Sequence, residues 1–177
     1  MILKFLKKLL YNLSFSKKVS SRRKKKSREL KAFSDAKTVG VLFEGTNVTD
    51  VKVVKEYVKS LKSMGKTVET LGYLDTKEKN ETYNYFSNDD LNWYYIPKSN
   101  QIDSFIKKEF DVLIDLHTES KEPLGYIASL SNAHFKVGKR DDQFDCYDLA
   151  IDCPKAKIGN VKNLISQIDH YIKIINN

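Results

Sequence analysis

Residues 110–116, FDVLIDL, are an apolar run broken by two acids, Asp111 near its start and Asp115 near its end. A run this short and this apolar reads as a strand buried on both faces, the pattern of a parallel sheet covered by helices on either side. The residues after it agree with that reading. The turn HTESKE leads into Pro123, which suits the first turn of a helix. Leu124, Ile127, Ala128 and Leu130 then recur at helical spacing to a stop near Asn132, and two short strands succeed them, HFKVG (134–138) and DLAID (148–152).

Upstream the alternation is the same. TVGVLF (38–43) is a β-branched, apolar strand bounded by Gly45. Asp50–Met64 sets Val51, Val54, Val58 and Leu61 on one helical face, and Gly65 closes it as a C-terminal glycine does. KTVETLGYL (66–74) predicts a second strand and WYYI (93–96) another, ended by Pro97. Ser99 can cap a helix carrying Ile102, Phe105 and Ile106, and Val161–Ile175 places seven apolar residues on a final helical stripe. Strands alternating with helices predict a Rossmann-like α/β domain over residues 37–177, three layers deep, with a mainly parallel sheet of five or six strands.

Residues 1–36 read differently. Twelve of the 31 basic residues and one of the 23 acids fall within residues 1–33, so that segment carries +11 while the remainder carries −3. Ile2, Phe5, Leu6, Leu9, Leu10 and Leu13 recur at helical spacing, with Lys4, Lys7, Lys8 and Tyr11 on the remaining surface. That predicts a cationic amphipathic helix over 2–13. Ser14–Ser21 shows no clear periodicity, and Arg22–Arg28 is nearly all charge. The segment is expected to be a basic arm outside the core, with no residue before Ser34 needed to complete it. Lysines interrupt the apolar start and no run of 18 apolar residues occurs, so neither a signal peptide nor a spanning helix is expected. Cys146 and Cys153 lack the spacing of a disulfide framework or zinc site, and a reducing cytoplasm is the expected compartment.

In sheets of this kind ligands sit at the carboxyl ends of the strands. Glu44, Thr46 and Asn47 come after the first strand, Asp75 after the second, and His117 and Glu119 after FDVLIDL. These six are the candidate ligand pocket, with His117 near its ordinary pKa as acid or base. The first strand leads into FEGTNVTD, with one glycine where a dinucleotide fingerprint or a phosphate loop needs several. No nucleophile elbow and no zinc-ligand spacing is present either. The expectation is therefore no catalytic residue, no metal and no cofactor. His134 and His170 are expected as packing or surface residues.

FDVLIDLHTESKEPLGYIASLSNAHFKVGKR (110–140) resembles, over about thirty residues, the amino-terminal half of heptosyltransferase-like glycosyltransferases. Those enzymes hold their donor nucleotide in a second Rossmann domain. None is expected after Asn177, so the resemblance implies at most half a nucleotide-sugar cleft. Over nearly the whole chain, the sequence resembles an uncharacterised family of short Bacteroidota proteins. Phe110–Leu116, Ser131–Gly138 and His170–Asn176 carry this likeness together with the basic start. It implies the fold and no activity.

The arm supplies the functional expectation. Lys17, Lys18, Arg22, Arg23, Lys24, Lys25, Lys26, Arg28 and Lys31 suit phosphate contacts, which release counterions from nucleic acid. The leading expectation is a non-catalytic, RNA- or ribosome-associated protein. The alternative is a protein held on an anionic membrane surface by residues 2–28, since an amphipathic helix joined to a polybasic run supplies both signals that stable attachment needs. A protein partner and a degenerate nucleotide-sugar-binding domain come after these.

Overall fold

The computed structural model describes residues 2–23, 33–75, 84–152 and 160–175. Chain order gives α1 (Ile2–Arg23), β1 (Thr38–Glu44), α2 (Val48–Ser63), β2 (Thr67–Leu74) and β3 (Tyr85–Ser87), then a 3-10 turn at Asn88–Asp90. Next come α3 (Asn100–Lys107), β4 (Val112–Asp115), α4 (Glu122–Leu130), β5 (Phe135–Lys139), β6 (Leu149–Ile151) and α5 (Val161–Ile175). The six strands form one parallel sheet in the order β3-β2-β1-β4-β5-β6. This is the Rossmann-like α/β fold, and its strand order reverses direction between β1 and β4.

The sheet is covered on both sides because crossovers of one hand must use opposite faces when the strand order runs in opposite directions. Val39, Val41 and Phe43 of β1 pack with Val54, Val58 and Leu61 of α2 and with Leu164, Ile168 and Ile172 of α5. Leu42 and Leu113 look the other way, toward Ile102 and Phe105 of α3 and Leu124 and Ile127 of α4. Gly40 sits on that second face because the Phe110 ring lies 2.8 Å from where its Cβ would stand.

Polar residues hold the element ends. Asp111 Oδ2 accepts from the amides of Lys37 and Thr38, both at 2.9 Å, which satisfies donors that no neighbouring strand reaches. The buried Lys136 on β5 donates to the carbonyls of Ala128 (2.7 Å) and Ser129 (3.2 Å), completing the carboxyl end of α4. Lys66 Nζ donates at 2.8 Å to the carbonyls of Phe33 and Ala36, pinning the chain that enters β1.

Two local expectations are corrected. WYYI has strand composition, but the third strand is Tyr85–Ser87 and residues 92–96 form a tight loop. Asn92 Oδ1 accepts from the amides of Tyr94 (3.1 Å) and Ile96 (2.9 Å), and its own amide donates to Ile96 O, so a side chain takes the place of a ladder. The amino-terminal helix does not stop at residue 13; it continues through Ser14–Ser21 to Arg23. The continuation lays Phe15 one turn beyond Tyr11, and both meet α4. Tyr11, placed by the pattern on the polar surface, is buried in the second core cluster with Phe15 packed against that cluster.

Candidate functional site

The carboxyl edge of the sheet is built from the ends of β1, β2 and β4. Glu44 ends β1 and meets Lys121 Nζ at 3.2 Å. Thr46 Oγ1 accepts from the Asp75 amide at 3.2 Å, Asp75 Oδ1 accepts from Asn88 Nδ2 at 3.1 Å, and Tyr73 O–H donates to Asn88 Oδ1 at 2.8 Å. Burial and the Asp75 charge push the Tyr73 phenol up to about 12. Partial burial opposes the charge on Lys121, but its hydrogen bond to Glu44, together with the Asp75 and Glu119 carboxylates, leaves its pKa raised. The crevice is thus a lysine ringed by carboxylates, an arrangement that repels a phosphate rather than cradling one.

Asn47 has a local task. It is the N-cap of α2, where its Oδ1 accepts from the amides of Thr49 (2.9 Å) and Asp50 (3.4 Å). Dinucleotide-binding sheets present the amides of this helix end to a pyrophosphate. Here Asn47 occupies them, and Asp50 adds negative charge to the first turn.

His117 is not in the open crevice. Its Nδ1 lies 2.5 Å from Asp115 Oδ1, its amide donates to the same oxygen at 3.2 Å, and Asp115 Oδ2 accepts from the Tyr147 phenol at 2.9 Å. His117 is 2% exposed and Asp115 fully buried, while Tyr147 is half-buried. Lys139 Nζ, donating to Thr118 O at 2.7 Å, closes the turn above them. Burial disfavours the imidazolium, yet the Asp115 carboxylate outweighs burial, and the pKa of His117 is raised above its ordinary value. Burial is also the main cause that pushes the Tyr147 phenol up, with the Asp115 charge second. The trio holds a proton between the end of β4 and the segment before β6 and offers no nucleophile to solvent.

The structure therefore brings Glu44 to Lys121 and Thr46 to Asp75, leaves Glu119 exposed, and separates Asn47 and His117 into capping and buried roles. Asp115, Lys121, Lys139 and Tyr147 were not among the expected site residues. Asp115 alone had a visible signal, an acid inside an apolar strand. Cys146 is buried, and Cys153 lies outside the described residues. His134 is half-buried and His170 packs edge-on against Tyr171. No cluster of metal-ligating side chains occurs among the described residues.

The second candidate surface is α1. Tyr11 and Phe15 stack at 5.8 Å between ring centroids, and Phe15 meets Phe144 edge-on at 5.4 Å. Residues 11 and 15 lie on one side of the helix, so residues 6, 9 and 13 lie on the other. Leu6, Leu9 and Leu13 are exposed there, as is Leu3 at their edge, with Leu3 62% and Leu13 60% accessible. The apolar stripe faces away from the domain. Of the nine expected phosphate-binding cations, Lys17 is exposed on α1, and Lys18, Arg22 and Arg23 belong to its last turns. Lys24, Lys25, Lys26, Arg28 and Lys31 lie outside the described residues, as do the side chains of Ile2 and Phe5.

Among solved structures, the chain is similar to a probable 2-hydroxyacid dehydrogenase from Rhizobium etli CFN 42 in complex with NADP, HEPES and L(+)-tartaric acid. The identity is 14% and the TM-score 0.31, with 96% of this chain and 62% of that one covered. It is also similar to a D-2-hydroxyisocaproate dehydrogenase at 16% identity and TM-score 0.31, with 97% and 64% covered. The chain spans less than two thirds of the length of either. None of the curated proteins matches. A family model matches residues 7–175, which takes in α1 from its second turn, all six strands and the last helix, and the chain belongs to that family, a family of unknown function (DUF6913).

Proposed function

We propose that the protein attaches to an anionic membrane surface through α1 and the basic run beyond it, with the Rossmann-like domain carried on the attached helix. The observation that carries this reading is the outward leucine stripe. Tyr11 and Phe15 dock α1 on the domain, and Leu6, Leu9 and Leu13 are left on the far side, where water is a poor partner. Burial of each leucine at a bilayer interface contributes up to about 1.5–3 kcal/mol, and each nearby Lys or Arg adds about 1 kcal/mol on an anionic leaflet. Among the described residues no helix is long and apolar enough to cross a membrane, so α1 would lie in the interface plane.

The test is co-sedimentation of the full chain with vesicles of phosphatidylglycerol and phosphatidylcholine. Leu6→Ala with Leu9→Ala should weaken binding at least tenfold while leaving unfolding unchanged, since both side chains are exposed and alanine favours helix. Binding that survives the pair, or no binding by the parent, overturns the proposal.

RNA or a ribosome is the second reading, favoured by the density of cations over Lys17–Lys31. It has no use for the leucine stripe. It would show as affinity that is unchanged in the leucine pair and that falls with salt at a log–log slope of roughly −4 for about six single-strand phosphate contacts. No observation favours nucleotide-sugar binding at the self-capped crevice.

A further inference from the structure

The loop Asn92–Ile96 presents two aromatic side chains to solvent on a rigid support. Leu91 and Pro97 pair as an isolated antiparallel bridge at its base, Tyr95 N–H donates to Asn92 O at 3.0 Å, and Asn92 Oδ1 holds the amides of Tyr94 and Ile96. Leu91, Tyr94 and Ile96 turn inward to the core cluster that also contains Tyr11. Trp93 and Tyr95 turn outward, 52% and 48% exposed. Tyr95 does so at φ 65°, in the left-handed region that suits glycine and that bulky side chains avoid. The left-handed residue is what closes this three-residue turn, so the loop's own hydrogen bonds fix the direction in which the Tyr95 ring leaves it.

The loop adjoins α1. Lys7 Nζ stands 5.3 Å from the centre of the Tyr95 ring, and on a helix Lys7 neighbours Leu3 one turn before it and the docked Tyr11 one turn after, so it stands at the seam between the two sides. The aromatics therefore border the leucine-bearing side of α1. Tryptophan and tyrosine, with an apolar ring and a polar tip, settle at the headgroup level of bilayers. An exposed cation, Lys17, stands on the leucine side and Lys7 on its flank beside Tyr95, which matches an anionic leaflet and not a neutral apolar partner.

We propose that Trp93 and Tyr95 are a second membrane contact, seated at headgroup level beside α1, which fixes how the domain is turned toward an anionic bilayer. This rests on the attachment of α1 proposed above. The leucine stripe of the docked helix is one line of contacts, about which the domain can still rock through a limited arc. A second anchor set off that line removes the rocking and holds the sheet's carboxyl edge at one inclination.

Trp93 is the protein's one tryptophan, so its emission reports the loop directly. The full chain is mixed with phosphatidylglycerol–phosphatidylcholine vesicles whose acyl chains carry bromine at shallow or deep positions. The expected result is a blue shift and stronger quenching by shallow than by deep bromine. Tyr95→Gly, which relieves the left-handed strain and so should keep the fold, should weaken vesicle binding about threefold, and Trp93→Ala about tenfold. If the chain sediments with vesicles and Trp93 emission does not change, the loop is not a contact; the second anchor falls and the α1 attachment stands. If the chain does not sediment at all, both fall. Quenching by single-stranded oligonucleotide without a response to vesicles would make the loop a base-stacking platform. A blue shift that grows with protein concentration in the absence of lipid would make it a contact between two copies. Either result overturns the proposal.

Discussion

The phenol of Tyr11 donates a 3.0 Å hydrogen bond to the backbone carbonyl of Glu122, joining the middle of α1 to the first turn of α4 across 111 residues of chain. Burial, with the Glu122 charge second, raises the phenol above its ordinary pKa, so it stays a donor throughout the physiological range. The amino-terminal helix is thereby attached to the domain through one aromatic side chain, its stacking partner Phe15 and the rings of Tyr126 and Phe144.

Tyr11→Ala should accordingly destabilise the protein by about 3 kcal/mol, as removal of a buried aromatic does. Tyr11→Phe, which keeps the ring and loses the hydrogen bond, should cost about 1 kcal/mol. Urea unfolding of both variants measures the difference. Equal losses would mean that the ring is not packed where the structure has it.

The Asp115–His117 pair makes stability depend on pH in a defined direction. The folded pKa of His117 is raised, so the folded state binds the extra proton more tightly than the unfolded chain does. The resulting stabilisation is fully present below the unfolded value of about 6.5 and is lost as pH rises through the higher folded value. Thermal unfolding should therefore fall in midpoint as pH rises above about 6.5. In His117→Ala that slope should flatten, while the variant loses about 3 kcal/mol overall by leaving a buried carboxylate short of a partner.

Gly125 in α4 lies under the Phe144 ring, whose nearest carbon is 2.3 Å from where a Cβ would be. Alanine is the better helix former by about 1 kcal/mol, yet overpacking of this kind costs about 1–3 kcal/mol. Gly125→Ala should be destabilising on balance. Phe144→Leu in the same chain should recover part of the loss by making room, and a chemical-denaturation series of the two single variants and the double variant measures that coupling.

Replacing Arg22, Arg23 and Lys25 together by alanine should weaken vesicle binding by about 3 kcal/mol at low ionic strength, about 1 kcal/mol for each cation. The deficit should shrink as salt screens the parent. Vesicle co-sedimentation between low and moderate salt checks this; a deficit independent of salt would point to lost helix rather than lost charge.

The elements whose signals are local were legible in the sequence. FDVLIDL, TVGVLF and the stripe of Val161–Ile175 announce themselves because a strand buried on both faces must be continuously apolar and a one-sided helix must repeat at its own period. Their alternation was enough to specify a covered parallel sheet. The charge asymmetry and the leucine stripe of residues 1–33 were equally plain, since composition needs no partner to be read. WYYI shows where composition misleads: it suits a strand, but Asn92, one residue upstream, supplies the loop with hydrogen bonds that a neighbouring strand would otherwise have to supply.

Whatever depended on residues far apart in the chain was settled only by the fold. The sequence pattern puts Tyr11 among lysines on the polar side of its helix. It becomes a core residue because α4 brings Glu122 O and Tyr126 to meet it, with Phe144 beside them, and the leucines become the outward face for the same reason. His117 looked like a solvent-facing base until β4 set Asp115 beneath it and Tyr147, 32 residues beyond Asp115, closed the other side. Periodicity records which residues share a face of one element. Which face is covered is decided by the partner element, and the identity of that partner is a property of the three-dimensional packing.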